Sequence, residues 1–277
     1  MERNAFSFVD LLVVIAIIVG VIFLLFPSLL QNKRKAIEIH CGNNVKQLAL
    51  VNYYHSDVYG ENLNYGNYQD DRNIWNKKGV WLGALIAEDR IQNEKILTCP
   101  AAKPGIRIKT GQDIQGTADT SWVRWSAEND KNAQMYSSSY GYNGWLYTAG
   151  LKDGMFTGFE ENFYLKSARI KYPEKTPVFF DCTWVDAWPM ETDLPSKDFY
   201  SGRSYWERTN EMGRLTILRH SNVNPRNAPQ NFDYSESPLP GVINIGMSDG
   251  HVESVQIENL WQLPWHRKGQ TPTTRPQ

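Results

Sequence analysis

Phe6-Ser7-Phe8-Val9-Asp10, then LLVVIAIIVGVIFLLF from Leu11 to Phe26, then Pro27, is the stretch that decides the fold. The sixteen residues from Leu11 to Phe26 carry no polar side chain. With Phe6, Phe8 and Val9 they approach the ~20 residues a helix needs to cross a bilayer. The run predicts a hydrophobic transmembrane stem over 6–27. A removable secretory signal would have a shorter apolar core and an Ala-x-Ala-like cut site after it. Pro27-Ser28-Leu29-Leu30 offers no such site, so the stem is expected to stay. Asp10 is the anomaly, because a carboxylate in an inserted helix costs ~2.5–3.5 kcal/mol at the bilayer centre and calls for a cation. A new α-amino group, made on a neighbouring copy by cutting before Phe6, is one such cation. A carboxylate that stays hydrated at headgroup depth is the alternative.

Outward from Pro27 the pattern becomes one-sided. Ile37, Cys41, Val45, Leu48 and Val51 recur at spacings of four, four, three and three, while Lys33, Lys35, Glu38, Asn43 and Lys46 spread over the other faces. That spacing makes an amphipathic spine over 28–57. A helix kinked at Pro27 and running from Phe6 to about Ser56 would be on the order of 75 Å long. An anchor and a separate helix, broken at Pro27, is the alternative.

The string Ala5 to Ile18 (AFSFVDLLVVIAII) resembles the N-terminus of type IV prepilins and type II secretion pseudopilins. In that family a dedicated peptidase cuts before a phenylalanine and methylates the new amine. The resemblance implies a leader over 1–5, cleavage and methylation at Ala5 and Phe6, and Asp10 and Pro27 as assembly positions. Ala5 stands where the family prefers glycine, and Asp10 where it prefers glutamate. Cys41-Gly42-Asn43-Asn44-Val45-Lys46-Gln47-Leu48 is similar to the segment after the stem in large planctomycete-type prepilin-like proteins. Their closing motif, Arg-His, nine residues and Asp-Gly-His-Val, is matched at Arg219-His220 and Asp249-Gly250-His251-Val252. Here 249 − 220 − 1 = 28 residues intervene, the excess falling in the polar segment Asn222 to Pro240.

The resemblance implies an α+β pilin-like fold, with the long helix on an antiparallel sheet in a loop-rich head over 58–266. It implies a filament subunit and no enzyme, with prepilin peptidase, other pilin subunits and an inner-membrane assembly platform as partners. The head would lie outside the cytoplasm on a single-pass inner-membrane anchor. The charge count votes the other way, since Lys33, Arg34 and Lys35 outnumber the leader's Arg3 and would place the head inside.

The rest of the chain is read from its residues. With 29 basic and 30 acidic residues the net charge is −1, so no basic field holds nucleic acid. Val242–Met247 and Val252–Ile257 are β-prone runs, and Ser248-Asp249-Gly250-His251 between them marks a hairpin with a tight two-residue loop. His220, Asp249 and His251 are candidate metal ligands whose spacing matches no compact motif. A Ser-His-Asp set of Ser221, His220 and Asp249 lacks a Gly-x-Ser-x-Gly elbow. No cofactor is expected, with calcium in the head left open. Cys41 and Cys99 are the preferred disulfide, leaving Cys182 a buried thiol after Pro177–Phe180. Three reduced core cysteines are the alternative. Trp122, Trp125, Trp145, Trp184, Trp188 and Trp206 could stack on sugar rings, so a membrane-anchored glycan-binding module is the second reading, although such aromatics are more often core. An anchored hydrolase is the third. Arg267 to Gln277 is expected to be a disordered tail.

Overall fold

The computed structural model describes residues 8–63, 80–87, 91, 93–105, 112–125, 135–148, 158–202, 210–235 and 238–277. Helix α1 runs from Phe8 to Tyr59, 52 residues and about 78 Å long. It is continuous through residue 27 and ends where the Gly60 N–H bonds the Ser56 carbonyl at 2.9 Å, with Gly60 at a positive φ of 68°. Helix α2 spans Val80–Ala87.

Strands β1 (Trp122–Trp125) and β2 (Met135–Ser138) form a two-stranded ribbon. The main sheet comprises β3 (Tyr140–Asn143), β4 (Pro177–Asp181), β5 (Asp186–Ala187), β6 (Val242–Met247) and β7 (Val252–Gln256). Its order is β5-β3-β4-β6-β7, antiparallel except for the β3–β5 pair. The architecture is therefore α+β, a helix packed on a sheet.

The inner part of α1 supplies the helix layer. Cys41, Val45, Leu48 and Ala49 are fully buried, and Ile37 and Val51 are half-buried at the ends of the stripe. They lie over β4, β6 and β7. Gly246 makes that approach possible: a Cβ there would stand 2.7 Å from the Ala49 Cβ and 3.1 Å from the Val45 carbonyl oxygen. Tyr140, Tyr142, Phe179, Phe180, Ile243 and Ile245 fill the centre of the sheet. The β6–β7 hairpin matches the sequence reading, but its loop has three residues, Ser248 to Gly250. Met247 and His251 close it by a 2.8 Å bond, and Gly250 takes the positive φ of 91°.

Several expectations need correction. Among the described residues no helix is long and apolar enough to cross a membrane, so the single-pass inner-membrane anchor is not supported. Residues 267–277, expected to be a disordered tail, are mostly exposed but are tied down at Arg275. Arg275 is buried, its Nε is 2.9 Å from Glu258 Oε2, it donates to the Tyr234 carbonyl, and its guanidinium lies over the Tyr234 ring. Ser137 and Ser138 end β2, Tyr140–Asn143 form the interior strand β3, and Gly144–Leu146 make a 3₁₀ turn.

Candidate functional site

Four chemically active side chains meet where α1 crosses the sheet. Cys41 comes from α1, Cys99 from the turn after the 3₁₀ segment Glu94–Leu97, Asp181 from the end of β4, and His220 from the segment that bridges to Val242 at the start of β6. All four are buried, and one ligand atom from each lies within 4.8 Å of every other. His220 Nε2 is 3.1 Å from Cys41 Sγ, 3.6 Å from Cys99 Sγ and 3.3 Å from Asp181 Oδ2. Cys41 Sγ is 3.4 Å from Asp181 Oδ1.

A shell of donors holds these atoms in place. Tyr140 Oη donates to Cys41 Sγ at 3.2 Å, and the Ala101 N–H reaches Cys99 Sγ at 3.4 Å. The Cys99 N–H is anchored on Ser139 Oγ at 2.6 Å. The Asn244 N–H donates to Asp181 Oδ2 at 2.9 Å. Arg219 is the keystone. Its Nη1 donates to Asp181 Oδ1 at 3.1 Å and to the Ser139 carbonyl. Its Nε reaches the Ala118 carbonyl at 3.2 Å, and its Nη2 reaches the carbonyls of Thr117 at 2.9 Å and Cys182 at 3.3 Å. Five acceptors thus answer the five N–H groups of a guanidinium.

Electrostatics follow from these contacts. Burial opposes charge on every member, but direct pairing overrides it at three of them. The Asp181 carboxyl would be raised by burial, yet His220, Arg219 and the Asn244 N–H hold it well below the usual carboxylate range. His220 would be neutralised by burial, yet Asp181 and Cys99 push it up to about 10. Cys99 is drawn down to about 6 against its burial by Cys41 and His220, while burial and its anionic neighbours push Cys41 up. Two cations, Arg219 and His220, therefore face two anions, Asp181 and Cys99.

Among the residues expected from sequence, Cys41, Cys99 and His220 are brought together. Cys41 and Cys99 are free cysteines, as is the buried Cys182, so the expected disulfide is not formed. Asp249 and His251 do not join His220. They sit half-exposed on the β6–β7 turn, where His251 Nδ1 is 2.6 Å from Asp249 Oδ1 and its Nε2 is 3.3 Å from Glu253 Oε1. The trio of candidate ligands is therefore split by the hairpin's geometry. The two sulfurs of the buried cluster suit a thiophilic ion, not calcium, which takes oxygen donors. Asp10 lies in the first turn of α1, and Pro27 lies within that helix. Ala5 and Phe6 lie outside the described residues.

Sequence reasoning missed Asp181 and the central place of Arg219. The signal was present in Pro177-Val178-Phe179-Phe180-Asp181, a carboxylate ending an apolar strand immediately before a cysteine. Trp122, Trp125, Trp145, Trp184 and Trp188 are at most 7% exposed, which removes them as a sugar-stacking platform; Trp206 lies outside the described residues. Two of their indole N–H groups bond interior carbonyls, Trp122 that of Tyr140 at 2.9 Å and Trp145 that of Pro189 at 2.9 Å. No protein-family model, no curated protein and no solved structure matches the chain.

Proposed function

We propose that the chain is a pilin-like structural subunit that joins other subunits through the outer part of α1, and that it is not an enzyme. One observation carries the reading: a single helix is half packed and half bare. Beyond Ile37 toward the N-terminus, Phe8, Leu12, Val13, Ile15, Ile17, Ile18 and Ile22 are each 48% or more exposed. A contiguous apolar face of that length exceeds what a monomeric protein leaves open to solvent and marks an interaction surface. Equivalent helices of other copies offer the matching surface, and stacking them head to tail generates an open filament.

The N-terminal resemblance supports the same reading. Cleavage by a prepilin peptidase between Ala5 and Phe6 would free an amine that pairs with Asp10 of a neighbouring copy, and a bend at Pro27, which has no amide donor, would fit the stem to the filament. Assembly as a minor subunit of a type II secretion pseudopilus or type IV pilus-like filament suits a head of this size. The glycan-binding alternative loses its support with the burial of the described tryptophans.

The test is mass spectrometry of the first peptide together with electron microscopy, in cells with an active prepilin peptidase and its assembly machinery. A methylated Phe6 terminus and filaments that disappear on Asp10→Ala are expected. An intact Met1, or filaments indifferent to Asp10→Ala, would sink the reading.

A further inference from the structure

We propose that Cys41, Cys99, Asp181 and His220 are the four ligands of a structural zinc ion that clamps α1 onto the head. The donor set is two thiol sulfurs, one imidazole nitrogen and one carboxylate oxygen, the ligand types zinc takes in tetrahedral sites. Zinc bonds of about 2.0–2.3 Å place tetrahedral ligand atoms roughly 3.3–3.8 Å apart. The observed separations of 3.1, 3.3, 3.4 and 3.6 Å overlap that range, with Asp181 meeting His220 through Oδ2 and Cys41 through Oδ1, and one ligand atom from each residue lies within 4.8 Å of the others. Small adjustments of the side chains would admit the ion at the centre.

The surroundings are those of a ligand cage. Each carboxylate oxygen of Asp181 is already held, one by Arg219 and one by the Asn244 N–H, which fixes the carboxylate's orientation toward the other three ligands. Tyr140 and the Ala101 N–H bond the two sulfurs in the same way. Charge also balances with the ion bound: two thiolates and a carboxylate give −3, and zinc with Arg219 gives +3. No net charge is then left in the buried centre.

Four protein ligands leave no open position, and all four are buried, so the ion would be structural and would take no part in catalysis. The ligands lie far apart in sequence, at 41, 99, 181 and 220, on four different segments. Binding in the folded state alone would therefore stabilise the junction of helix, turn and sheet by linkage. Binding releases two protons to solvent, one from the Cys41 thiol and one from the His220 imidazolium, and oxidises nothing.

The experiment uses the full chain purified without added metal under reducing conditions. Metal analysis by mass spectrometry is expected to find zinc in one-to-one ratio with the chain. Replacement by Co2+ is expected to give the visible absorption of a tetrahedral ion and the near-ultraviolet charge-transfer band of two thiolates. Stripping the zinc should lower the Tm by roughly 5 °C or more, recovered on re-adding Zn2+. Cys182→Ser should keep both the zinc and the cobalt spectrum, whereas Cys99→Ser should weaken the charge-transfer band and lose zinc on dialysis. Should Cys99→Ser fail to fold, the wild-type cobalt spectrum decides on its own. Zinc-free protein whose Tm ignores Zn2+, a Cys41–Cys99 disulfide in place of the ion, or a cobalt spectrum without thiolate character would each overturn the proposal. None of these outcomes depends on filament formation, so failure here and failure of the subunit reading are separable.

Discussion

Asp181 and Asp186 are five residues apart, at the end of β4 and the start of β5, and both are fully buried, yet their carboxyls are driven in opposite directions. Asp181 is held well below the usual range, while Asp186 is pushed up to about 6. Burial raises both alike, so the partners decide the sign. Asp181 has the Arg219 guanidinium at 3.1 Å, His220 at 3.3 Å and a backbone N–H at 2.9 Å. Asp186 has Arg124 as its leading opposing charge and Arg214 at 3.7 Å, and the Arg214 guanidinium bonds the Asp186 backbone carbonyl at 2.7 Å and Glu211 at 2.8 Å. A cation already committed elsewhere offsets less of the desolvation cost than one aimed at the carboxylate. The difference shows where the molecule is built to hold charge and where it only tolerates it.

The sharpest way to break the comparison is to remove the cation from the well-paired site. Arg219→Leu keeps apolar bulk but deserts the Asp181 carboxylate and the carbonyls of Thr117, Ala118, Ser139 and Cys182. Losing one partner of a buried pair costs about 3–5 kcal/mol. Urea unfolding should show a loss of that size; a loss below about 1 kcal/mol would mean that Arg219 is not the keystone.

Asp186 should respond with the opposite sign. Its folded pKa of about 6 lies above its ordinary 3.8, so the folded state binds the proton more tightly. Stability from this group is therefore present below about pH 4 and is lost as pH rises through 6. Asp181 slopes the other way: its pairing is worth most above its ordinary pKa, and that contribution is lost as pH falls. Asp186→Asn should accordingly stabilise the protein at pH 8 by an amount on the order of 3 kcal/mol or less, with the gain gone near pH 3.5. Thermal unfolding of the two proteins across that range measures it, and a destabilised variant at pH 8 would show that the ionised carboxylate is well paired after all.

The same contrast marks what the sequence could disclose. The inner stripe of α1 was legible, because Cys41, Val45 and Leu48 recur at helical spacing and are the residues that meet the sheet. The β6–β7 hairpin was legible from Asp249-Gly250 between two β-prone runs, although a ladder pair shared by Met247 and His251 set the loop one residue longer than read. Cys41 and Cys99 were expected to meet, and they do, but unbridged and gathered around His220. What brings Asp181 and His220 to them is strand pairing between segments far apart in sequence, which no local pattern records. Asp249 and His251 were the more conspicuous residues by motif, and the hairpin sends them to the surface. The tail misled by composition alone: charge and proline suggested disorder, but Arg275 has Glu258 and Tyr234 waiting for it.

The smallest effect tests whether Glu211 is the reason Asp186 is poorly served. Glu211 sits 2.8 Å from Arg214 and adds its own negative charge to the burial that raises Asp186. Glu211→Gln acts twice in the same direction, removing a repelling charge and weakening the competing hold on the Arg214 guanidinium. The Asp186 titration midpoint, followed by the chemical shift of its carboxyl carbon, should therefore fall from about 6 toward the ordinary value. Global stability at pH 8 should change by less than about 1 kcal/mol, since the gain at Asp186 is offset by the lost Glu211–Arg214 pair. A midpoint that rises instead would mean that Glu211 orients Arg214 toward Asp186. The raised carboxyl would then owe everything to burial and nothing to competition for its cation.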